Sequence, residues 1–103
     1  MKTKDHTVNI WGLDIKMRPV LAAGEMIWRD NGFEFVITSA RDGIHSAGSL
    51  HYYGLAVDIR ASEAWGYKYD EILALVDQLE DHLGDEYDVV LESDHIHVEY
   101  DPD

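Results

Sequence analysis

Two segments of the sequence contain histidines and carboxylates in the combination that a metal ion requires. The first contains His51 and Asp58, and the second contains His95 and His97 among acidic residues. Zinc binds imidazole nitrogen and carboxylate oxygen at roughly 2 Å, and its catalytic sites use three protein ligands with water in the fourth position. We therefore predict that His51, Asp58 and His97 are zinc ligands.

Alternation of apolar and polar residues predicts two short strands that would position these ligands. Along Leu55–Arg60 the apolar residues fall on one face and Asp58 on the other, and His95–Tyr100 places His97 on its polar face in the same way. If the two strands pair in register, Asp58 and His97 share a face, while His51 lies in the turn before the first strand. Surface histidines and aspartates on half-exposed strands are the alternative explanation of this pattern.

The pattern Ser-x-His-x-x-Gly-x-Ala-x-Asp at Ser49–Asp58, followed by a C-terminal histidine, resembles the M15 zinc peptidases, the family of D-alanyl-D-alanine carboxypeptidases and endolysins. The longer run Asp42–Ile59 also resembles the signalling domain of hedgehog proteins, which shares that fold, and Glu92–His97 is similar to its Glu-Ser…His-Ile-His segment. The similarity covers residues 17–100, nearly the whole chain. It implies a hedgehog/DD-peptidase-like fold with zinc as the cofactor.

The resemblance also implies a catalytic carboxylate near the last zinc ligand. M15 peptidases place an acidic residue three positions before that ligand, as Asp94 stands to His97. Hedgehog domains carry a glutamate six positions before it, and Glu92 matches only with a one-residue gap. We favour Asp94 as the base that takes a proton from water and passes it to the leaving amine. A turn carboxylate that bonds nearby amides is the alternative role for Asp94.

Three further residues are expected to assist catalysis or substrate binding. His95 shares a face with His97 and would hydrogen-bond the zinc-bound water or the developing oxyanion. A purely structural role is the alternative for His95. If His97 does not bind zinc, His95 would replace it as the ligand. His45 matches a histidine near the zinc of hedgehog domains. Arg41 resembles the substrate-binding arginine of a Ser-x-x-Arg segment in M15 peptidases, and its planar fork suits the carboxylate of a peptide or muropeptide. A salt bridge to a neighbouring acid is the alternative for Arg41.

Composition indicates one folded domain over residues 1–103 and excludes several functions. Apolar residues make up 46% of the chain, and the absence of cysteine leaves histidine and carboxylates as the metal ligands. The formal charge of -13 disfavours nucleic acid and anionic lipid as partners. No acidic segment has the spacing of an EF-hand, so a calcium-binding domain is disfavoured.

The start of the sequence lacks an apolar signal core, and no run is apolar enough to span a membrane. We therefore expect synthesis in the cytoplasm without a signal peptide. By family analogy, the protein would act at the bacterial cell wall after phage-type release or as part of a virion.

Periodicity predicts an α+β domain with a small, largely antiparallel sheet and two helices. The short segment at residues 8–11 is either an edge strand or a packed arm. The second helix follows an irregular stretch, and its apolar stripe comprises Tyr69, Ile72, Leu73, Val76, Leu79 and Leu83. The predicted elements are helices at 16–30 and 69–83, strands at 33–39, 55–60, 87–91 and 95–100, and a loop at 40–50.

Two functional hypotheses follow from the resemblance. The first is a monomeric zinc metallopeptidase that hydrolyses stem or cross-link peptides of peptidoglycan, as a D,D-carboxypeptidase or an endopeptidase. The second is a catalytically inactive zinc-containing module of the same fold that binds a partner or has a structural role.

Overall fold

The computed structural model describes residues 2–5, 13–40 and 55–102. These residues form a small α+β domain with two helices and a five-stranded mixed sheet, which confirms the predicted fold class. The elements are β1 (Lys2–Thr3), a 3-10 turn (Ile15–Met17), α1 (Arg18–Asp30), β2 (Val36–Ser39), β3 (Ala56–Arg60), a second 3-10 turn (Glu63–Trp65), α2 (Tyr69–Leu83), β4 (Tyr87–Leu91) and β5 (His95–Tyr100).

The strands are arranged in the order β1-β2-β3-β5-β4, and only the β1–β2 pair is parallel. The sheet is thus mostly antiparallel, as predicted. Strand β1 was not predicted, because two residues cannot display an alternation. It pairs with the start of β2, where Lys2 lies opposite Val36. The predicted edge strand or arm at residues 8–11 and most of the predicted loop lie outside the described residues.

Helix α1 has clear signals at both ends. The Asp14 carboxylate accepts a hydrogen bond from the Lys16 backbone N–H at 2.9 Å, which starts the 3-10 turn that leads into the helix. At the other end, the Asn31 side-chain amide donates to the Ile27 carbonyl at 2.8 Å. Gly32 follows with a φ of 85°, a left-handed conformation that glycine adopts without a steric penalty.

The strand predicted at residues 33–39 begins only at Val36. The Phe33 N–H donates to the Trp28 carbonyl at 2.8 Å, so the backbone at Phe33 is bound to the end of α1, and contact with β1 starts only where the Phe35 carbonyl accepts from the Lys2 N–H. The Phe33 ring stacks on Tyr67, with centroids 4.2 Å apart, while the Phe35 ring packs edge-on against Trp28. The first contact therefore joins the segment before β2 to the segment before α2, and the second joins it to α1.

Helix α2 has the predicted bounds, but its buried face differs from the predicted stripe. Tyr69 and Leu73 are 60% and 40% exposed, whereas Leu75 is fully buried. The apolar residues of α2 cover more of its surface than the sheet and α1 can bury, so tertiary packing selects the stripe. The residues that reach the core are Ile72, Leu75, Val76 and Leu79.

The two faces of the sheet have opposite character. The covered face, which we define as Val57, Ile59, Ile96 and Val98, has no solvent exposure and belongs to one apolar core with residues of both helices. The other face of β3 and β5 carries ionisable side chains instead. No helix among residues 13–40 and 55–102 is long and apolar enough to cross a membrane.

Candidate metal centre

The register of β3 and β5 brings two of the predicted zinc ligands together. Asp58 lies directly opposite His97, and Arg60 lies directly opposite His95. Residues opposite one another in an antiparallel pair project from the same face of the sheet. The condition that these strands pair in register is therefore met, and we call this surface the polar face. It comprises Asp58, Arg60, His95, His97 and Glu99.

His97 lies between two carboxylates. Its Nδ1 is 2.7 Å from Asp58 Oδ1, and its Nε2 is 3.0 Å from Glu99 Oε1. The hydrogen bond with Asp58 raises the pKa of His97 above its ordinary value, and the charges of Asp58 and Glu99 add to this effect, while burial opposes it. In the protonated ring both N–H groups donate, one to each carboxylate.

His95 makes a second approach to the same carboxylate. Its Nε2 is 3.6 Å from Asp58 Oδ1, and its Nδ1 is 2.7 Å from Asp94 Oδ1. Asp58 Oδ1 is therefore the atom on which the two histidines converge. The His95, His97 and Asp58 side chains are only 26%, 18% and 16% exposed, so their mutual interactions are less screened than those of a surface pair.

The turn between β4 and β5 positions Asp94. The Glu92 N–H donates to the His95 carbonyl at 2.9 Å and closes the two-residue connection of Ser93 and Asp94. The Asp94 side chain is 75% exposed and contacts the His95 ring. A cleft of about 350 Å³ beside the polar face is lined by Asp94, His95 and Asp58.

Glu92 occupies a different position from Asp94. Glu92 lines a groove of about 340 Å³ between the β4–β5 turn and the start of α2, together with Tyr69 and Ile72. Asp94 borders both this groove and the cleft that contains Asp58 and His95. Of the two candidate bases, Asp94 is thus the one that shares a cavity with Asp58.

The donor set of Asp58 and His97 fits zinc in kind. One imidazole nitrogen and one carboxylate oxygen point towards each other, and Glu99 holds the opposite ring nitrogen, an arrangement common for metal-binding histidines. Two ligands of one tetrahedral zinc lie about 3.3 Å apart. The observed 2.7 Å is a hydrogen-bond length, so metal binding would have to replace this hydrogen bond and separate the two side chains slightly.

An acidic cluster on the neighbouring strands can also hold a metal ion. Carboxylate oxygens of Asp88, Glu99 and Asp101 all lie within 4.8 Å of one another, and no other group of this kind occurs among the described residues. A hydrogen bond with Asp88 raises the pKa of Asp101. A set composed only of oxygen ligands suits a hard cation better than zinc, and exposed acidic clusters are common without an ion.

The remaining predicted site residues, Arg41, His45 and His51, lie outside the described residues. The contact of Glu99 with His97 had a sequence signal, because residues two apart on a strand share a face. Lys4 and Trp65 line the cleft as well, and no local pattern indicated this, because they come from distant parts of the chain.

Comparison with protein-family models, curated proteins and solved structures gives no match to this chain. The resemblance of residues 49–58 to M15 peptidases stays a prediction, and the functional proposal rests on the site geometry and on that motif.

Proposed function

We propose that this protein is a zinc-dependent peptidase that hydrolyses peptide bonds in peptidoglycan stem or cross-link peptides, as a D,D-carboxypeptidase or an endopeptidase. The observation that carries the proposal is the Asp58–His97 pair. Both residues belong to the motif-bearing segments, and they lie opposite each other with donor atoms 2.7 Å apart. The bacterial cell wall is accordingly the proposed place of action.

Three side chains of the polar face would bind the zinc ion or orient a ligand. Asp58 Oδ1 and His97 Nδ1 would hold the zinc ion together with His51, and Glu99 Oε1 would orient the His97 ring through Nε2. When bound, zinc supplies a Lewis acid that polarises the scissile carbonyl and makes water nucleophilic near neutral pH.

Proton transfer would fall to Asp94 and His95. Peptide hydrolysis requires a base that takes a proton from water and later delivers it to the leaving amine. The Asp94 side chain is 75% exposed and lines the cleft, so its carboxylate would accept that proton. His95 donates to Asp94 through Nδ1 and would keep that carboxylate beside the polar face, and we assign it a part in stabilising the charge that develops on the substrate.

Muropeptide digestion with zinc-loaded protein tests the proposal. We expect turnover in the wild type and a roughly 10²- to 10⁴-fold lower kcat in Asp94→Asn, which keeps the shape of the side chain but removes its basicity. Asp77→Asn, an exposed acid on α2, serves as the matched control and should retain activity. Zinc content should be unchanged in both variants.

Two results would count against the proposal in different ways. Zinc binding without turnover of any muropeptide would favour the inactive zinc-containing module. A larger loss in Glu92→Gln than in Asp94→Asn would keep the peptidase but transfer the role of the base to Glu92.

A further inference from the structure

The cleft beside the polar face contains two basic side chains in a strongly acidic protein. Only 8 of 103 residues are lysine or arginine, against 21 acidic residues, yet Lys4 and Arg60 both line this one cavity. No described acidic side chain forms an ion pair with either of them. Two cations without such partners at one cavity leave their hydrogen-bonding capacity open to an anionic ligand.

Arg60 is held in place before any ligand binds. Its backbone pairs with His95 in the sheet, and its carbonyl accepts a hydrogen bond from the Trp28 indole at 3.4 Å. Its guanidinium carbon lies 3.7 Å from the centroid of the Trp65 ring, a cation–π contact that orients the planar fork. Trp65 itself is 61% exposed, so the stacked pair forms part of the cleft surface.

Lys4 completes the cationic side of the cleft. The Lys4 backbone N–H donates to the Ile37 carbonyl at 2.8 Å, which continues the β1–β2 ladder by one residue. This hydrogen bond fixes the position of the Lys4 backbone. The two carboxylates that line the same cleft are already engaged. Asp58 contacts His97 and Asp94 contacts His95, each at 2.7 Å.

We propose that Arg60 and Lys4 form a carboxylate-binding subsite, with Trp65 as the platform for Arg60. A guanidinium fork binds a carboxylate through two parallel hydrogen bonds, and Lys4 adds a point charge. That the ligand is a peptide rests on the proposed function, whereas the preference for a carboxylate rests on the cleft alone.

The distance between the subsite and the candidate metal pair suits a short peptide segment. Arg60 follows Asp58 by two residues on the same face of β3, which corresponds to about 6.6 Å along the strand. One or two residues of an extended ligand cover that distance. The bound carboxylate would therefore be the free C-terminus of the peptide or an acidic side chain close to the scissile bond.

Titration of the metal-free protein with three probes tests the subsite without requiring catalysis. The probes are N-acetyl-dialanine with a free carboxylate, its C-terminal amide, and amidated N-acetyl-alanyl-glutamate. Calorimetry gives the affinity, and the part of the tryptophan fluorescence change that is lost in Trp65→Phe reports contact at the cleft. We expect at least one acid to bind roughly 10-fold or more tightly than the neutral amide. Tighter binding of N-acetyl-dialanine would identify a terminal carboxylate as the preferred ligand. Tighter binding of amidated N-acetyl-alanyl-glutamate would identify a side-chain carboxylate.

Substitutions separate this subsite from the overall charge of the protein. Arg60→Gln should weaken binding of the preferred acid roughly 10- to 100-fold. Lys4→Gln should weaken it less, because the Lys4 side chain is exposed and its charge is more strongly screened. Arg60→Lys preserves the positive charge and should give an intermediate loss of affinity. It serves as the test variant if Arg60→Gln perturbs folding. Arg29→Gln and Lys2→Gln make the same charge changes outside the cleft and should stay within about twofold of the wild type.

Equal binding of acid and amide, no binding of either acid, or an equal loss in Arg29→Gln and Arg60→Gln would overturn the subsite. Muropeptide digestion of the same variants distinguishes its failure from that of the peptidase. Carboxylate binding that depends on Arg60, without hydrolysis, supports the subsite and contradicts the proposed peptidase function. Hydrolysis that does not depend on Arg60 supports the peptidase function and contradicts the subsite.

Discussion

The two faces of one pair of strands serve different purposes. On the covered face of β3 and β5, Val57, Ile59, Ile96 and Val98 have no exposure to solvent. On the polar face, Asp58 and His97 retain 16% and 18% side-chain exposure and hydrogen-bond each other. Because successive residues of a strand point to opposite faces, the same register that stabilises the core also aligns the ionisable groups. Stability and chemistry are thus separable by substitution.

The largest stability difference is expected between two valines on opposite faces. Val98→Ala removes a fully buried side chain from the covered face, and we expect a loss of about 2 kcal/mol in the free energy of unfolding. Val90, opposite His97 on β4, is 45% exposed, so Val90→Ala should change stability by less than about 0.5 kcal/mol. Urea denaturation measures both. Equal losses would show that the polar face is packed as tightly as the covered face.

A second substitution tests how tightly α1 packs against the sheet. A methyl group at Gly24 would overlap the Phe35 ring. Overpacking costs about 1–3 kcal/mol, and the better helix propensity of alanine returns up to about 1 kcal/mol. We therefore expect Gly24→Ala to lower stability by about 1 kcal/mol.

The double variant Gly24→Ala/Phe35→Leu serves as the control for this packing. A smaller side chain at position 35 should make the added methyl group less costly than it is in the wild type. A stabilising Gly24→Ala would indicate that the Phe35 ring moves aside freely.

The smallest effect concerns the pH dependence of the metal-free protein. Hydrogen bonding to Asp58 raises the pKa of His97 above 6.5, so the folded state holds a proton that the unfolded state releases. The resulting stabilisation is fully present below pH 6.5 and is lost as pH rises through the folded-state pKa.

Urea denaturation at a series of pH values in the presence of a chelator measures this effect. The wild type should lose stability above pH 6.5 relative to His97→Gln, which cannot bind the proton. Parallel pH profiles of the two proteins would contradict the assignment.

Local patterns predicted the existence and type of the longer elements, although β2 begins three residues later than predicted. The alternation at His95–Tyr100 predicted both the bounds of β5 and the side on which His97 lies, whereas the register that places Asp58 opposite His97 entered only as a condition. A two-residue strand such as β1 has no period to detect. The burial of Leu75 in place of Leu73 depends on how α2 rests on the sheet, which no property of the helix alone determines.

The candidate site likewise has a part that local patterns predicted and a part that they did not. Asp58, His97 and Asp94 belong to motifs that are local in sequence, and alternation predicted the face on which Asp58 and His97 lie, whereas the pairing of β3 with β5 is known from the structure. The cleft that joins Lys4, Arg60 and Trp65 depends on contacts between distant segments. Charge and composition alone gave no indication that two of the few basic residues would meet there.

Zinc stoichiometry of the purified protein tests the central claim most directly, with Asp58→Ala, His97→Ala and Asp88→Asn as variants. Asp88 belongs to the acidic cluster rather than to the Asp58–His97 pair, although Glu99 is near both. We predict one zinc per chain in the wild type and in Asp88→Asn, and loss of zinc in Asp58→Ala and His97→Ala. Zinc that persists in both of these variants but is lost in Asp88→Asn would contradict the account, as would a wild type that binds no zinc after reconstitution.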